Sequence, residues 1–153
     1  VITALAAVAL VLTGLVAGTM TVGLAAIRPA MHSLPVASYI TVKQAFDVSY
    51  PRFMKPLQVA ALAASLALTI AAAVDGAGTA AACAGVGFVS LFVNVIVTVR
   101  GDLPINVAMA SWRPEAPPAD WERQRLRWDR FNAIRTTAAV VALILLAATA
   151  VSV

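Results

Sequence analysis

The chain is poor in charge, in cysteine and in histidine, and each shortage closes off a class of function. Its 153 residues hold one Cys and one His. A single cysteine, Cys83, makes no internal disulfide, no Cys-rich metal site and no Cys-x-x-Cys redox pair. Among its apolar neighbours it reads as a small core residue. A single histidine builds neither a bis-His haem site nor a two-His metal triad. Acidic residues number 7, and none lies within a long apolar stretch. That argues against a coupled transporter or proton pump, which places an ionisable group inside a span. Internal repeats and low-complexity linkers are absent too, so a single domain over residues 1–153 is expected.

What the chain does have is apolar length. Hydrophobic residues make up 61% and charged residues 12% of it, well outside the range of soluble proteins. A hydrocarbon core about 30 Å thick is crossed by about 20 apolar residues of helix. Four stretches meet or approach that length: Val1–Ile27, Leu57–Val74, Ala77–Val99 and Ile134–Val153, with Arg135 the only charge in any of them. The expected fold is all-α and integral to the membrane: a four-transmembrane-helix bundle with two long same-side connections and an extended last helix. The first stretch has no basic residue ahead of it and runs about twice the length of a signal-peptide core, so it reads as a retained span. Gly14-x-x-x-Gly18, and Ala61, Ser65 and Thr69 at four-residue spacing, are expected to be small-residue seams between helices.

Charge sets the orientation. All 11 Lys and Arg fall at residues 28–55 and 100–135. With an even number of spans these two regions share a side, and the positive-inside rule makes that side cytoplasmic, in the inner (cytoplasmic) membrane. The net charge of +4 then follows from topology and implies no nucleic-acid partner. Pro29, Pro35, Pro51 and Pro56 fragment the first connection. Between them, Ser38–Ser49 is expected as a short interfacial helix with Tyr39, Val42 and Phe46 on one face. After Pro114, Pro117 and Pro118, Asp120 is expected to cap the last helix. At roughly 48 Å that helix overshoots the bilayer by several turns.

The last helix carries the candidate site. Trp121, Arg125, Trp128, Asn132 and Arg135 are spaced by four, three, four and three residues, which puts them on one face. A solvated helix has no need of paired Trp, and a lipid-facing one has none of Asn and Arg, so the stripe reads as the wall of a pocket at the membrane surface. Arg135 either snorkels to the interface or faces inward to stabilise a developing anion. Asn94 either makes an interhelical hydrogen bond or lines the same pocket. Asp102 and Asn106, on either side of Pro104, either close a turn or point inward. His32 is either a surface residue or a general base. Trp112 and Trp121 either anchor in the headgroups or wall the pocket, and Trp128 is placed in the pocket.

Asp102-x-Pro104-x-Asn106, Trp112, Trp121, Arg127-Trp128 and Asn132-x-x-Arg135 entering a final span resemble the anthrone oxygenase-like membrane family of small four-span proteins. The likeness covers most of the chain in layout and rests on Gly101 to Arg135. Asp102 stands where that family more often has Asn. The Ala-, Val- and Arg-rich composition looks like that of a GC-rich actinobacterial gene, which is the expected source.

The resemblance implies oxidation of an anthrone-like, hydrophobic aromatic substrate. Its acidic methylene loses a proton, and the carbanion reacts with O2 as co-substrate, with no metal and no cofactor predicted. Trp128 and Trp121 would be flat walls, Arg135 with Asn132 or Asn106 the oxyanion donors, and His32 or Asp102 the base. A substrate of this kind would reach the site from the lipid bilayer. The competing reading is a non-enzymatic accessory subunit, or a lipid- or partner-binding protein, in a homo-oligomer or a larger membrane complex.

Overall fold

The computed structural model describes residues 1–153. It consists of four long helices and no strand: α1 Ile2–His32, α2 Val36–Val74, α3 Gly78–Met109 and α4 Trp121–Ala150. Each helix packs against the next and α4 closes back on α1, so the four stand in a ring whose α3–α4 contact is the most extensive. All four are long and apolar enough to cross a membrane, as the four apolar stretches predict.

Residue size is distributed inside out. Fully buried positions are held largely by small residues, among them Ala9, Ala61, Ala72, Ala84, Ala139 and Ala142. Val11, Val59, Ile70, Val89, Phe92 and Ile144 face outward and are at least half exposed. Water would penalise such a surface at about 25 cal/mol per Å², whereas lipid tails do not, and small interior residues let helix backbones approach. The molecule is a multi-pass membrane protein. The seam on α2 runs through Ala61 and Ser65 as expected, with Thr69 facing Gly85. The α1 seam runs through Ala9, Thr13, Val16 and Ala17, not through the Gly14–Gly18 pair: Gly18 is exposed, and a Cβ there would meet nothing within 4 Å.

Of the four prolines expected to fragment the first connection only Pro35 separates two helices, and Pro29, Pro51 and Pro56 lie within them. Residues 38–49 are not a separate interfacial helix. They belong to α2, which continues through both Pro51 and Pro56. Each proline forfeits an intrahelical bond, at a cost of about 3 kcal/mol. Tyr39, Ile40 and Lys43 before them, Met54 between them, and Ala61 and Ser65 after them are nevertheless buried, and that packing outweighs the local loss.

In α1 and α3 the same problem is solved by π turns, at Gly23–Ile27 and Thr98–Asp102. The residue before each proline donates its N–H five residues back, Arg28 to Gly23 and Leu103 to Thr98. The wider turn makes room for the rings of Pro29 and Pro104.

The α2–α3 turn is tight. Gly76 sits at φ +72, the Gly76 N–H donates to Ala73 and the Ala77 N–H to Ala72, a Schellman cap that needs a glycine. Asp120 does precede α4, but it makes no side-chain cap bond to the backbone. It accepts instead from Arg123 Nη2 at 2.9 Å and Gln124 Nε2 at 3.1 Å. These bonds, that from Gln124 first, hold its carboxyl below the usual carboxylate range.

Candidate active site

Between the ends of the helices remote from the Asp75–Gly76 turn lies a cavity of about 440 Å³ reached by all four helices. Its walls are mostly apolar, with Met20, Ile27, Phe46, Met54, Leu62 and Trp128 among them. Phe46, Val59, Val99 and Leu103 line it and are also 37–66% exposed, so the cavity is bordered on its α2–α3 side by the apolar outer surface.

Helical periodicity delivers the polar groups. On α4, Trp128, Asn132 and Arg135 are four and three residues apart and all line the cavity. On α2, Lys43, Asp47, Tyr50, Met54 and Gln58 repeat at four, three, four and four and line it too. The α2 face that lines the cavity is therefore carried by Lys43 and Asp47, with Phe46 at its exposed border.

Arg135 is 9% exposed and is held from three directions. Its Nε donates to Asn132 Oδ1 at 3.1 Å, its Nη1 to Thr98 Oγ1 at 3.4 Å, and its Nε lies 2.7 Å from Asp102 Oδ2. The Nε–H is aimed at Asn132, so the contact with Asp102 is Coulombic. Both Asp102 oxygens are buried with no aligned donor. Behind Arg135, Asn94 Nδ2 donates to the Arg135 carbonyl at 2.7 Å and lies 3.2 Å from Met20 Sδ, while Asn94 Oδ1 accepts from Gln58 Nε2 at 2.9 Å. One buried amide thus ties α1, α2, α3 and α4 together.

Lys43 is 3% exposed. Its Nζ donates to both Asp47 oxygens at 2.6 Å and to Asn106 Oδ1 at 2.8 Å, and it sits 4.6 Å from the centre of the Trp128 ring. All three ammonium protons have acceptors. Lys and Arg only donate, which fixes the orientation of both amides: Asn106 and Asn132 each turn Oδ1 to a cation and leave Nδ2 without an acceptor. Arg135 Nη2 has none either. Three NH2 groups with no protein acceptor therefore belong to residues lining one end of an apolar cavity, where the Trp128 indole N–H is unpartnered too, an arrangement suited to an oxyanion.

The residues singled out from sequence divide by depth. Asn106, Trp128, Asn132 and Arg135 line the cavity. Asp102 and Asn94 lie behind Arg135 and act through it. His32, Trp112 and Trp121 are not among the lining residues. His32 Nε2 is 3.0 Å from Asp129 Oδ2, and Arg28 Nε is 3.2 Å from Asp129 Oδ1, so a buried carboxylate of α4 clamps the end of α1. Trp121 stands 6.3 Å from Tyr39 with Arg125 4.8 Å from its ring. Trp112 packs on the Met31–Tyr39–Ile40 cluster, and its carbonyl accepts from Gln44. The sequence reading missed Lys43, Asp47, Tyr50 and Gln58. Their four- and three-residue spacing is present in the sequence, but Pro51 falls within it and marks a break by the usual rule. No group of three or more His, Cys, Asp or Glu side chains gathers with the spacing of a metal site.

A family model described as anthrone oxygenase matches residues 43–145. The chain belongs to that family. The match begins at Lys43 and takes in Asp47, Asp102, Asn106, Trp128, Asn132 and Arg135, and it leaves out Arg28 and His32. The part of this anthrone oxygenase family member that resembles its family is thus the part that supplies the polar end of the cavity. No curated protein and no solved structure matches it.

Proposed function

We propose that this protein is a membrane-embedded oxygenase that converts an anthrone-like aromatic methylene to a ketone with O2. The observation that carries the reading is the cavity itself, with apolar walls and free N–H donors on Arg135, Asn132 and Asn106 at one end. A flat lipophile gains little from the walls on leaving the bilayer, because lipid tails are equally apolar. Selection therefore falls to the polar end, where each hydrogen bond from a charged donor is worth about 1.5–3 kcal/mol.

The substrate carbonyl would be held there. Loss of a methylene proton leaves a carbanion whose charge spreads onto that oxygen, where the donors stabilise it more than they do the neutral ketone. The carbanion passes its electrons to O2, and the carbon takes up the oxygen as a hydroperoxide once a proton returns. Loss of water then leaves the new carbonyl. One O2 is consumed and one water released for each methylene oxidised. The substrate is proposed to enter from the lipid between α2 and α3, past Phe46, Val59 and Leu103. The cavity end is proposed to face the cytoplasmic side of the inner membrane, a reading supported by residues 28–55 and 100–135 holding all 11 Lys and Arg.

The test is O2 uptake by detergent-purified protein given a simple anthrone, with quinone production followed in the same sample. The expected result is uptake above the spontaneous rate, one quinone per O2, reduced about 100-fold or more in Arg135→Ala and strongly in Trp128→Ala. Uptake that both variants leave unchanged would place the chemistry elsewhere. No uptake by the unaltered protein would favour the accessory-subunit reading.

A further inference from the structure

Abstracting the methylene proton requires a base inside the cavity, and the side chains reaching it are few. Its ionisable lining groups are Arg28, Lys43, Asp47, Tyr50, Lys55 and Arg135. Asp47 is the one carboxylate among them, and no imidazole reaches the cavity. The guanidiniums of Arg28 and Arg135 and the exposed ammonium of Lys55 donate and do not accept. Lys43 has all three protons engaged, and a phenol such as Tyr50 is an acid rather than a base near neutral pH. Asp102 and Asp129 have both oxygens buried away from open space.

Asp47 keeps 21% of its side chain accessible. A carboxylate offers about four lone-pair sites; Lys43 takes one on each Asp47 oxygen, which leaves one free on each.

We propose that Asp47 is the catalytic base of the cavity, with Lys43 as its positioning residue; this rests on the oxygenase reading above. The C–H bond of the substrate methylene breaks, its proton moves to an Asp47 oxygen, and the electron pair enters the aromatic system and its carbonyl oxygen. Arg135 Nη2 and the Asn132 and Asn106 amides hold that oxygen. The electron pair is then taken by O2.

The charge arithmetic favours this arrangement. Before transfer, Lys43 is balanced by Asp47 and Arg135 by Asp102. After it, Asp47 is neutral and the negative charge sits on the substrate between Lys43 and Arg135. No net charge is created in a low-dielectric site, where an uncompensated one would be costly. Lys43 also fixes the carboxylate against Asn106 and the Trp128 face, so the base and the oxyanion donors are aligned by a single ammonium.

The test separates proton abstraction from oxygenation. Purified protein is given an anthrone in D2O without oxygen, and deuterium incorporation at the methylene is followed; O2 uptake is measured in parallel. The unaltered protein is expected to accelerate exchange. Asp47→Asn should lose that acceleration by about 100-fold or more while still binding the anthraquinone product, read by tryptophan quenching, and Asp47→Glu should recover part of it. Above the pH at which the anthrone itself ionises, O2 uptake by Asp47→Asn should return toward that of the unaltered protein, since the substrate then arrives deprotonated.

Lys43→Met should move the acid limb of the pH–rate profile upward, because the carboxylate loses its nearest cation. The other charged and titratable groups around it, Tyr50 on α2, Arg135 on α4, Asp102 behind it on α3 and Arg28 on α1, are unchanged. A purely structural role for Lys43 would lower the profile without moving it. If Asp47→Asn exchanges as fast as the unaltered protein, the base assignment is overturned and the oxygenase reading survives. Exchange without O2 uptake keeps the base and removes the oxygenase. Neither exchange nor uptake in the unaltered protein removes both.

Discussion

The two halves of the bundle are made by the same four helices and differ in how straight those helices are. In the half nearest the Asp75–Gly76 turn, Ala6, Ala9, Leu68, Ala72, Ala142 and Leu146 close together with almost no exposed surface, and no helix is interrupted. In the other half, α1 and α3 each contain a π turn and α2 contains two prolines. Gly23, Ile27, Pro51 and Thr98, all from these interruptions, line the cavity. Irregular backbone at membrane depth is tolerated where it borders a cavity. The difference teaches that small side chains fill one half to solidity, while displaced helical turns open the other and bring charge into it.

Substitutions can break that contrast from either side. The largest effect is expected from Arg135→Ala, which removes the proposed oxyanion donor and leaves Asp102 buried without its nearest counter-charge. Besides lost turnover, the unfolding transition in detergent should fall by the equivalent of about 3–5 kcal/mol. Leu146→Ala strikes the solid half. Leu146 is wholly buried, and its truncation should cost about 2–5 kcal/mol, with turnover per folded molecule unchanged because the cavity is untouched.

Gly101→Ala strikes the irregular half, within the π turn Thr98–Asp102. A Cβ there would lie 2.6 Å from the Phe131 ring, so α3 and α4 must move apart, at about 1–3 kcal/mol. Displacing the π turn that carries Asp102 should lower turnover as well. The smallest effect is expected from His32→Gln, which alters only the Asp129 clamp. Turnover should stay within about twofold, and the melting shift should reflect about 1 kcal/mol or less, the worth of one hydrogen bond, because Arg28 still pairs with Asp129. A loss of turnover at His32 as large as at Arg135 would show that the clamp, and not the cavity, is the working site.

The four spans were legible because uninterrupted apolar length has one physical meaning in a bilayer. Trp128, Asn132 and Arg135 were legible because α4 is regular from Trp121 to Ala150, so three- and four-residue spacing reports a true face. The same rule gave less on α1 and α3. Each π turn bonds five residues back and rotates every later side chain, which is why His32 faces Asp129 and why Asp102 lies behind Arg135 and not beside it. On α2 proline misleads the other way. Pro51 has the sequence signature of a break, which hides the line from Lys43 and Asp47 to Tyr50, Met54 and Gln58. Tertiary burial of Tyr39, Ile40 and Met54 kept that helix whole, and nothing local to residues 38–49 announces such burial.

The most direct measurement is a structure of the protein with an anthraquinone product bound. The account predicts the rings between Trp128, Met54 and Phe46, with one carbonyl oxygen within hydrogen-bond distance of Arg135 Nη2 and the opposite ring carbon facing Asp47. A product seated outside the four-helix ring, for example against Val93 and Ile134 on the outer face of α3 and α4, would contradict it.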